Sequence, residues 1–238
     1  MHNILVELRN ELTVNADAAV KAQGEKYFKE PVKMYGMKSA TVTEIGKRYY
    51  RDLGKISKSE LFGLCESLWQ SGMMEESFIA CTWAYSMRKE FEPEDFQVFE
   101  RWVDRYVGNW ASCDTLCNHT IGSFIDRYPG FIAGLKRWAL SPNRWMRRAS
   151  AVSLIVPGRN GKFLPDILEI ATILLLDRDD MVQKGYGWML KVASKEHLDE
   201  IFRFVTDHKA EMPRTALRYA IEKMPAEMKG RAMEKNDN

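Results

Sequence analysis

A chain of 238 residues, 45% of them hydrophobic, is long enough to bury a proper core, as one large domain or as a repeat array. Its 35 Lys and Arg against 33 Asp and Glu leave a formal charge of +2, so the total identifies no class of partner. No apolar run is long enough to span a membrane, and Met1-His2-Asn3-Ile4-Leu5 lacks the basic-then-apolar pattern of a signal peptide. The four cysteines, Cys65, Cys81, Cys113 and Cys117, lie in helical patterns. Cys113, Cys117 and His119 form a loose cluster one ligand short of a zinc site, so no metal or other cofactor is expected. A reduced, cytoplasmic protein is the simplest expectation.

In chain order, almost every segment has helical period. Ile4, Leu5, Leu8 and Leu12 make one amphipathic stripe, and Val20, Tyr27 and Phe28 a second. Pro31 breaks the pattern, and Met34-Tyr35-Gly36-Met37 reads as a loop. A third helix runs from about Ser39 to Leu53 and closes at Gly54. Ser57 caps a fourth, which carries Leu61, Leu64, Leu68 and Trp69. A fifth covers Glu75 to Lys89. Pro93 opens a sixth as its first-turn proline, with Phe96, Phe99, Trp102, Val103 and Tyr106 inward. Further helices start at Trp110, Pro129, Pro142, Phe163, Asp179, His197 and Pro213. With no alternating β segment, the class is all-α.

A weak internal repeat organises these helices. Ile79-Ala80-Cys81-Thr82-Trp83, Arg148-Ala149-Ser150-Ala151-Val152, Lys184-Gly185-Tyr186-Gly187-Trp188 and Thr215-Ala216-Leu217-Arg218-Tyr219 each set a small residue near a bulky one. Their intervals are about one or two times 35 residues, the period of paired-helix solenoids. Small residues let one helix approach its neighbour, and such arrays curve to offer a concave face to extended partners.

Charge is distributed unevenly. Between Asp126 and Asp166 there is no acidic residue, while Arg127, Lys136, Arg137, Arg144, Arg147, Arg148, Arg159 and Lys162 fall in the same stretch. A one-signed patch with Trp138 and Trp145 interleaved suits a phosphate backbone. In Asp180 to Lys191, Gly185 and Gly187 stand inside a helix at a cost of about 1 kcal/mol each against alanine. A packing or access reason is required, and the expectation is that they clear space beside Trp188 so that its ring faces a groove.

The most informative stretch is Tyr106 to Leu116. Asn109 reads as a helix N-cap, which puts Trp110 and Asp114 four residues apart on one helix face. A carboxylate beside a large aromatic face is a poor core pair and a good pair for a cation. On its own the pair also fits a helix start with one buried Trp and one solvated Asp.

Trp110 with Asp114, the stretch containing Arg147-Arg148-Ala149, and Gln183-Lys184 leading to Gly187-Trp188 resemble, in order and spacing, the bacterial alkylpurine DNA glycosylases built from HEAT-like repeats, the AlkD-type DNA alkylation repair enzymes. The resemblance runs from about Tyr106 to Lys191, and more loosely over the N-terminal third, where Tyr27 and Tyr35-Gly36-Met37 occupy family-like positions. That family's Asn-Trp-Asp-x-x-Asp motif implies a catalytic Asp at Asp114 and a tryptophan at Trp110. Its second tryptophan matches Trp188, and its backbone-contacting arginine matches Arg148. Two departures stand out: Ala111 replaces an acidic residue, and Lys191 replaces an arginine, keeping the charge and losing the bidentate fork.

The resemblance implies a right-handed α-solenoid of about six repeats, one monomeric domain over 1–230, with 231–238 as a tail. It also implies hydrolytic release of 3-methyladenine and 7-methylguanine from duplex DNA, without a base-flipping pocket. Asp114, Trp110 and Trp188 would be catalytic; Arg148, Arg147, Arg144, Lys184, Lys191 and Tyr27 would hold DNA. His119 is the nearest candidate acid for a neutral leaving base. A relative that binds damaged or branched DNA without cleaving it is the alternative, and a HEAT-like scaffold for a protein partner a more distant one.

Overall fold

Residues 2–234 are described by the computed structural model, and every regular element among them is helical. The helices fall into two units, one ending at Leu116 and the other beginning at Cys117.

The first unit holds α1 (His2–Val14), α2 (Ala18–Glu25), α3 (Ser39–Asp52), α4 (Lys58–Gln70), α5 (Met74–Ser86), α6 (Asp95–Tyr106) and α7 (Trp110–Thr115). Alternate helices pack on one another: α1 on α3, α3 on α5, α5 on α7, with α4 on α6 beside them and α4 also on α5. This is the two-layer stacking of helix pairs that the 35-residue repeat predicts. Local chemistry sets the helix starts. Asp17 caps α2 by accepting from the N–H groups of Ala19 and Val20, and Ser57 with Glu60 forms a capping box on α4. Val42, Ile45 and Tyr49 form the buried stripe of α3. Gly46 continues that face, and a Cβ there would lie 3.2 Å from Ile79 Cγ1. The close approach lets Trp83 Nε1 donate to the Gly46 carbonyl at 2.8 Å. Phe62, Phe91, Phe99 and Trp102 form an aromatic cluster with centroids 5.2–6.5 Å apart.

Two expectations fail in this unit: Pro93 lies before α6, which starts at Asp95 after Glu94, and the second helix ends early. Tyr27 and Phe28 do not continue the second helix, because α2 ends at Glu25 and buries no side chain of its own. The following loop is held from outside instead. The Glu75 carboxylate, 1% exposed, accepts from the backbone N–H groups of Tyr35, Gly36 and Met37 at 2.8–3.2 Å. Gly36, at φ +91°, passes so close to α2 that a Cβ would fall 2.4 Å from the Asp17 carbonyl.

A π-helical turn, Leu116–Ile121, spans the boundary in sequence with the second unit. That unit holds α8 (Gly122–Arg127), α9 (Ile132–Trp138), α10 (Arg144–Val152), α11 (Ile155–Arg159), α12 (Leu164–Ile173), α13 (Asp180–Ala193), α14 (Leu198–His208), α15 (Arg214–Ile221) and α16 (Ala226–Met233). Here α10 packs on α13 and α13 on α15, with α9 on α12 and α14 on α16 alongside. The short α11 has no counterpart in the sequence reading. Its Pro157 is tolerated because first-turn N–H groups have no helical partner in any case. The last helix, α16, takes in Arg231 to Met233, the start of the expected tail; residues 235–238 lie outside the described residues.

Contacts within each unit recur at one sequence interval. Ser77 and Ser112 share a 2.7 Å hydrogen bond 35 residues apart. Arg101 reaches Glu66 across 35, Arg144 reaches Asp179 across 35, Lys136 reaches Glu169 across 33, and Lys191 reaches Glu222 across 31. Side chains one repeat apart are therefore spatial neighbours.

Candidate functional site

The first unit places Trp110 beside the Tyr27 backbone and one helical turn from Asp114. Asn109 takes an extended conformation, φ −151° and ψ 161°, and its side chain accepts from the Ser112 N–H, so the N-cap read from the sequence is present. The Asn109 amide also donates to Ser112 Oγ at 3.1 Å, and Ser112 in turn bonds to Ser77 on α5. This buried chain fixes the start of α7 and hence the direction of Trp110. The indole stacks on Phe28, centroids 5.4 Å apart and planes at 23°, and its Nε1 donates to the Tyr27 carbonyl at 3.4 Å. The Tyr27 side chain is itself 70% exposed. Asp114 follows one turn later, half-buried like Trp110. Ala111, where the family motif has an acid, is half-buried.

Burial separates the seven tryptophans. Trp69, Trp83, Trp102, Trp138 and Trp145 are core residues, from 0 to 8% exposed. Trp110 and Trp188 are only half-buried. The two rings that the family resemblance selects are the two that keep a face outside the core.

In the second unit Trp188 lies on α13 between Lys184 and Lys191. It lines a hollow of about 480 Å³ together with Lys191, Arg159, Lys195 and Lys223. The glycines before it act differently from the sequence expectation. A Cβ on Gly185 would meet Arg148 Cγ at 3.2 Å, and one on Gly187 would meet Tyr219 Cβ at 2.7 Å and the Ala216 carbonyl at 2.8 Å. They admit α10 and α15 to α13 rather than making room for Trp188.

The acid-free stretch is also not a free one-signed surface. Arg144 pairs with Asp179 at 2.8 Å and Arg147 with Asp177 at 2.6 Å. Lys136 pairs with Asp166 and Glu169, and Lys162 with Asp126. The acids lie outside the stretch in sequence and one repeat away in space. Trp138 and Trp145 are core residues, and Trp145 meets a basic group, with the Arg144 guanidinium 4.9 Å over its ring. Arg148 is 5% exposed, and its guanidinium donates to the Met181 carbonyl. Lys184 pairs with Asp180 at 3.3 Å. Lys191 pairs with Glu222 at 2.9 Å and lies 5.5 Å over the Tyr219 ring. That ammonium, hydrogen-bonded to Glu222, holds its carboxyl below the usual range. Arg159, Lys195 and Lys223, which the sequence did not single out around Trp188, are drawn from three separate segments and become neighbours only on folding.

His119 is exposed, and among the described residues no group of three His, Cys, Asp or Glu side chains is placed to hold a metal ion. No described helix is long and apolar enough to cross a membrane.

Comparison with known proteins places this arrangement. No curated protein matches the sequence. A solved structure described as a predicted DNA alkylation repair enzyme from Enterococcus faecalis shares the fold, with a TM-score of 0.79 at 16% identity over 89% of this chain and 98% of that one. The family model for DNA alkylation repair enzymes matches residues 8–224, so this chain belongs to the DNA alkylation repair enzyme family.

Proposed function

We propose that this chain is a monomeric DNA glycosylase that releases cationic N3- and N7-alkylated purines, such as 3-methyladenine and 7-methylguanine, from duplex DNA. The observation that carries the reading is the selective exposure of Trp110 and Trp188, with Asp114 one turn from Trp110.

Alkylation at N3 or N7 gives the purine a formal positive charge, so the base leaves without prior protonation. Water forms a bond to C1′ as the glycosidic bond breaks. The electron pair of that bond neutralises the departing base, and the water proton passes to solvent. Positive charge develops on the sugar meanwhile, as in glycoside hydrolysis. A half-buried carboxylate stabilises such a cation more than an exposed one, because less water screens it. Asp114 has that role and orients the attacking water. Trp110 and Trp188 are each half-buried rings with a face able to meet a cation. Arg148, Arg147, Arg144, Lys184, Lys191 and Tyr27 act in holding the duplex. Arg148 is buried, so its part includes fixing α10 against α13.

The test is incubation with methylated duplex DNA and chromatography of the released bases. Release of 7-methylguanine and 3-methyladenine supports the proposal. Tight duplex binding with no released base refutes it in favour of a binding protein.

A further inference from the structure

The start of α5 anchors both halves of the Phe28–Trp110 stack. Ser77, 5% exposed, bonds to Ser112 at 2.7 Å and so fixes α7, which carries Trp110. Two residues earlier, the buried Glu75 carboxylate accepts from the N–H groups of Tyr35, Gly36 and Met37. Beside it the Met74 N–H donates to the Lys33 carbonyl at 2.9 Å, and the Tyr35 hydroxyl donates to Glu76 at 2.8 Å. The chain between α2 and α3, which carries Phe28, is therefore tied to the same helix that places Trp110.

Anchoring α7 sets where the Trp110 side chain starts, but not the plane of its ring, because the second torsion of an aromatic side chain has a broad minimum. Two contacts from one segment set that plane. The Phe28 ring lies 5.4 Å away at 23°, and the Tyr27 carbonyl accepts from Nε1 at 3.4 Å. The hydrogen bond is longer than the usual range of about 2.7–3.2 Å, so the stack is the stronger constraint. Phe28 is half-buried, as Trp110 is, and among the described residues no second ring lies on Trp110. Phe28 thus covers one face of the indole and leaves the opposite face for a ligand.

We propose that Phe28 is a positioning residue, which holds the Trp110 plane so that one fixed face of the indole meets the alkylated nucleotide. This deepens the glycosylase reading and rests on it. Attraction between a cation and an aromatic ring acts over the ring face, so a ring that turns freely forfeits part of it. Phe28 acts through Trp110 and makes no contact with the reacting atoms itself.

The test compares Phe28→Leu, which keeps apolar bulk and removes the ring, with Phe28→Tyr, which keeps the stack. Trp110 emission is isolated as the difference between each protein and its Trp110→Phe counterpart. In time-resolved anisotropy, Phe28→Leu gives Trp110 a larger fast component, and Phe28→Tyr matches the wild type. Single-turnover release of 7-methylguanine falls about tenfold in Phe28→Leu, inside the roughly hundredfold cost of a misplaced group, and Phe28→Tyr restores it. Affinity for undamaged duplex is unchanged in both. Urea denaturation confirms that each variant is folded, and Phe28→Met repeats the comparison if Phe28→Leu is not. Equal anisotropy in Phe28→Leu and the wild type overturns the positioning role, and so does a freed ring with an undiminished rate. A wild type that releases no base refutes the glycosylase reading and with it this use of the ring, an outcome seen without any Phe28 variant and so distinct from failure of the positioning role.

Discussion

Truncation of Trp110 separates a ring held for function from a ring held for packing. In the structure Trp110 is half-buried, stacks on Phe28 at 5.4 Å and makes one long hydrogen bond, 3.4 Å, to the Tyr27 carbonyl. An aromatic stack contributes about 0.5–1.5 kcal/mol, and a weak hydrogen bond adds less than about 1 kcal/mol. Trp110→Ala is therefore expected to cost about 1–2 kcal/mol beyond the apolar area it uncovers, and less in all than loss of a fully buried ring. Trp83 is the internal control: it is 0% exposed and bonds to Gly46 at 2.8 Å. Removing a buried Trp costs about 3–5 kcal/mol. Urea denaturation of both variants gives the two losses, and single-turnover release of 7-methylguanine from a defined duplex gives the activity. Trp110→Ala should lose excision while remaining much the more stable variant. A stability loss matching that of Trp83→Ala, or undiminished excision, would refute the reasoning.

Asp114→Asn keeps shape and removes charge, so single-turnover release should fall about a hundredfold or more, the scale of one lost electrostatic stabiliser, with duplex affinity held or slightly raised. An unchanged rate would remove Asp114 from catalysis. Gly187→Ala forces a Cβ to 2.7 Å from Tyr219 Cβ and 2.8 Å from the Ala216 carbonyl, and overpacking against backbone should cost about 1–3 kcal/mol in urea denaturation. Duplex affinity should fall with salt. Replacing Lys184 and Lys191 together by Gln should flatten the log–log slope by about 2, since each phosphate that is no longer neutralised lowers it by about 0.9, and an unaltered slope would remove both from the duplex contact. Glu66 gives a pH signature. Burial raises its carboxyl, but hydrogen bonds from Arg101, Tyr106 and Trp102 outweigh that and leave it below the usual range. A carboxyl lowered on folding contributes stability above its unfolded value of about 4.3, which is lost as pH falls through the lower folded value. Glu66→Gln should accordingly lose most stability near neutrality and little in acid; an equal loss at both would contradict the sign.

The sequence by itself determined the helical class, the stacking of helix pairs and the start of α7. These are local or periodic properties. Asn109 caps through its own neighbour Ser112, and a repeat of about 35 residues shows along the chain. Trp110 and Trp188 are marked among seven tryptophans by the family resemblance of their motifs, since the local patterns alone also fit buried rings. Tertiary structure alone decided which charges remain available. Arg147 and Asp177 are 30 residues apart and meet at 2.6 Å, so an acid-free run in sequence is a paired surface in space. It also decided what the glycines serve, since Gly187 answers to Ala216 and Tyr219 of another helix. The unsatisfied Trp69 N–H belongs to the same class. Periodicity places a ring in the core, but whether its nitrogen finds a partner depends on atoms from α3, α4 or a loop that only packing brings within about 3 Å.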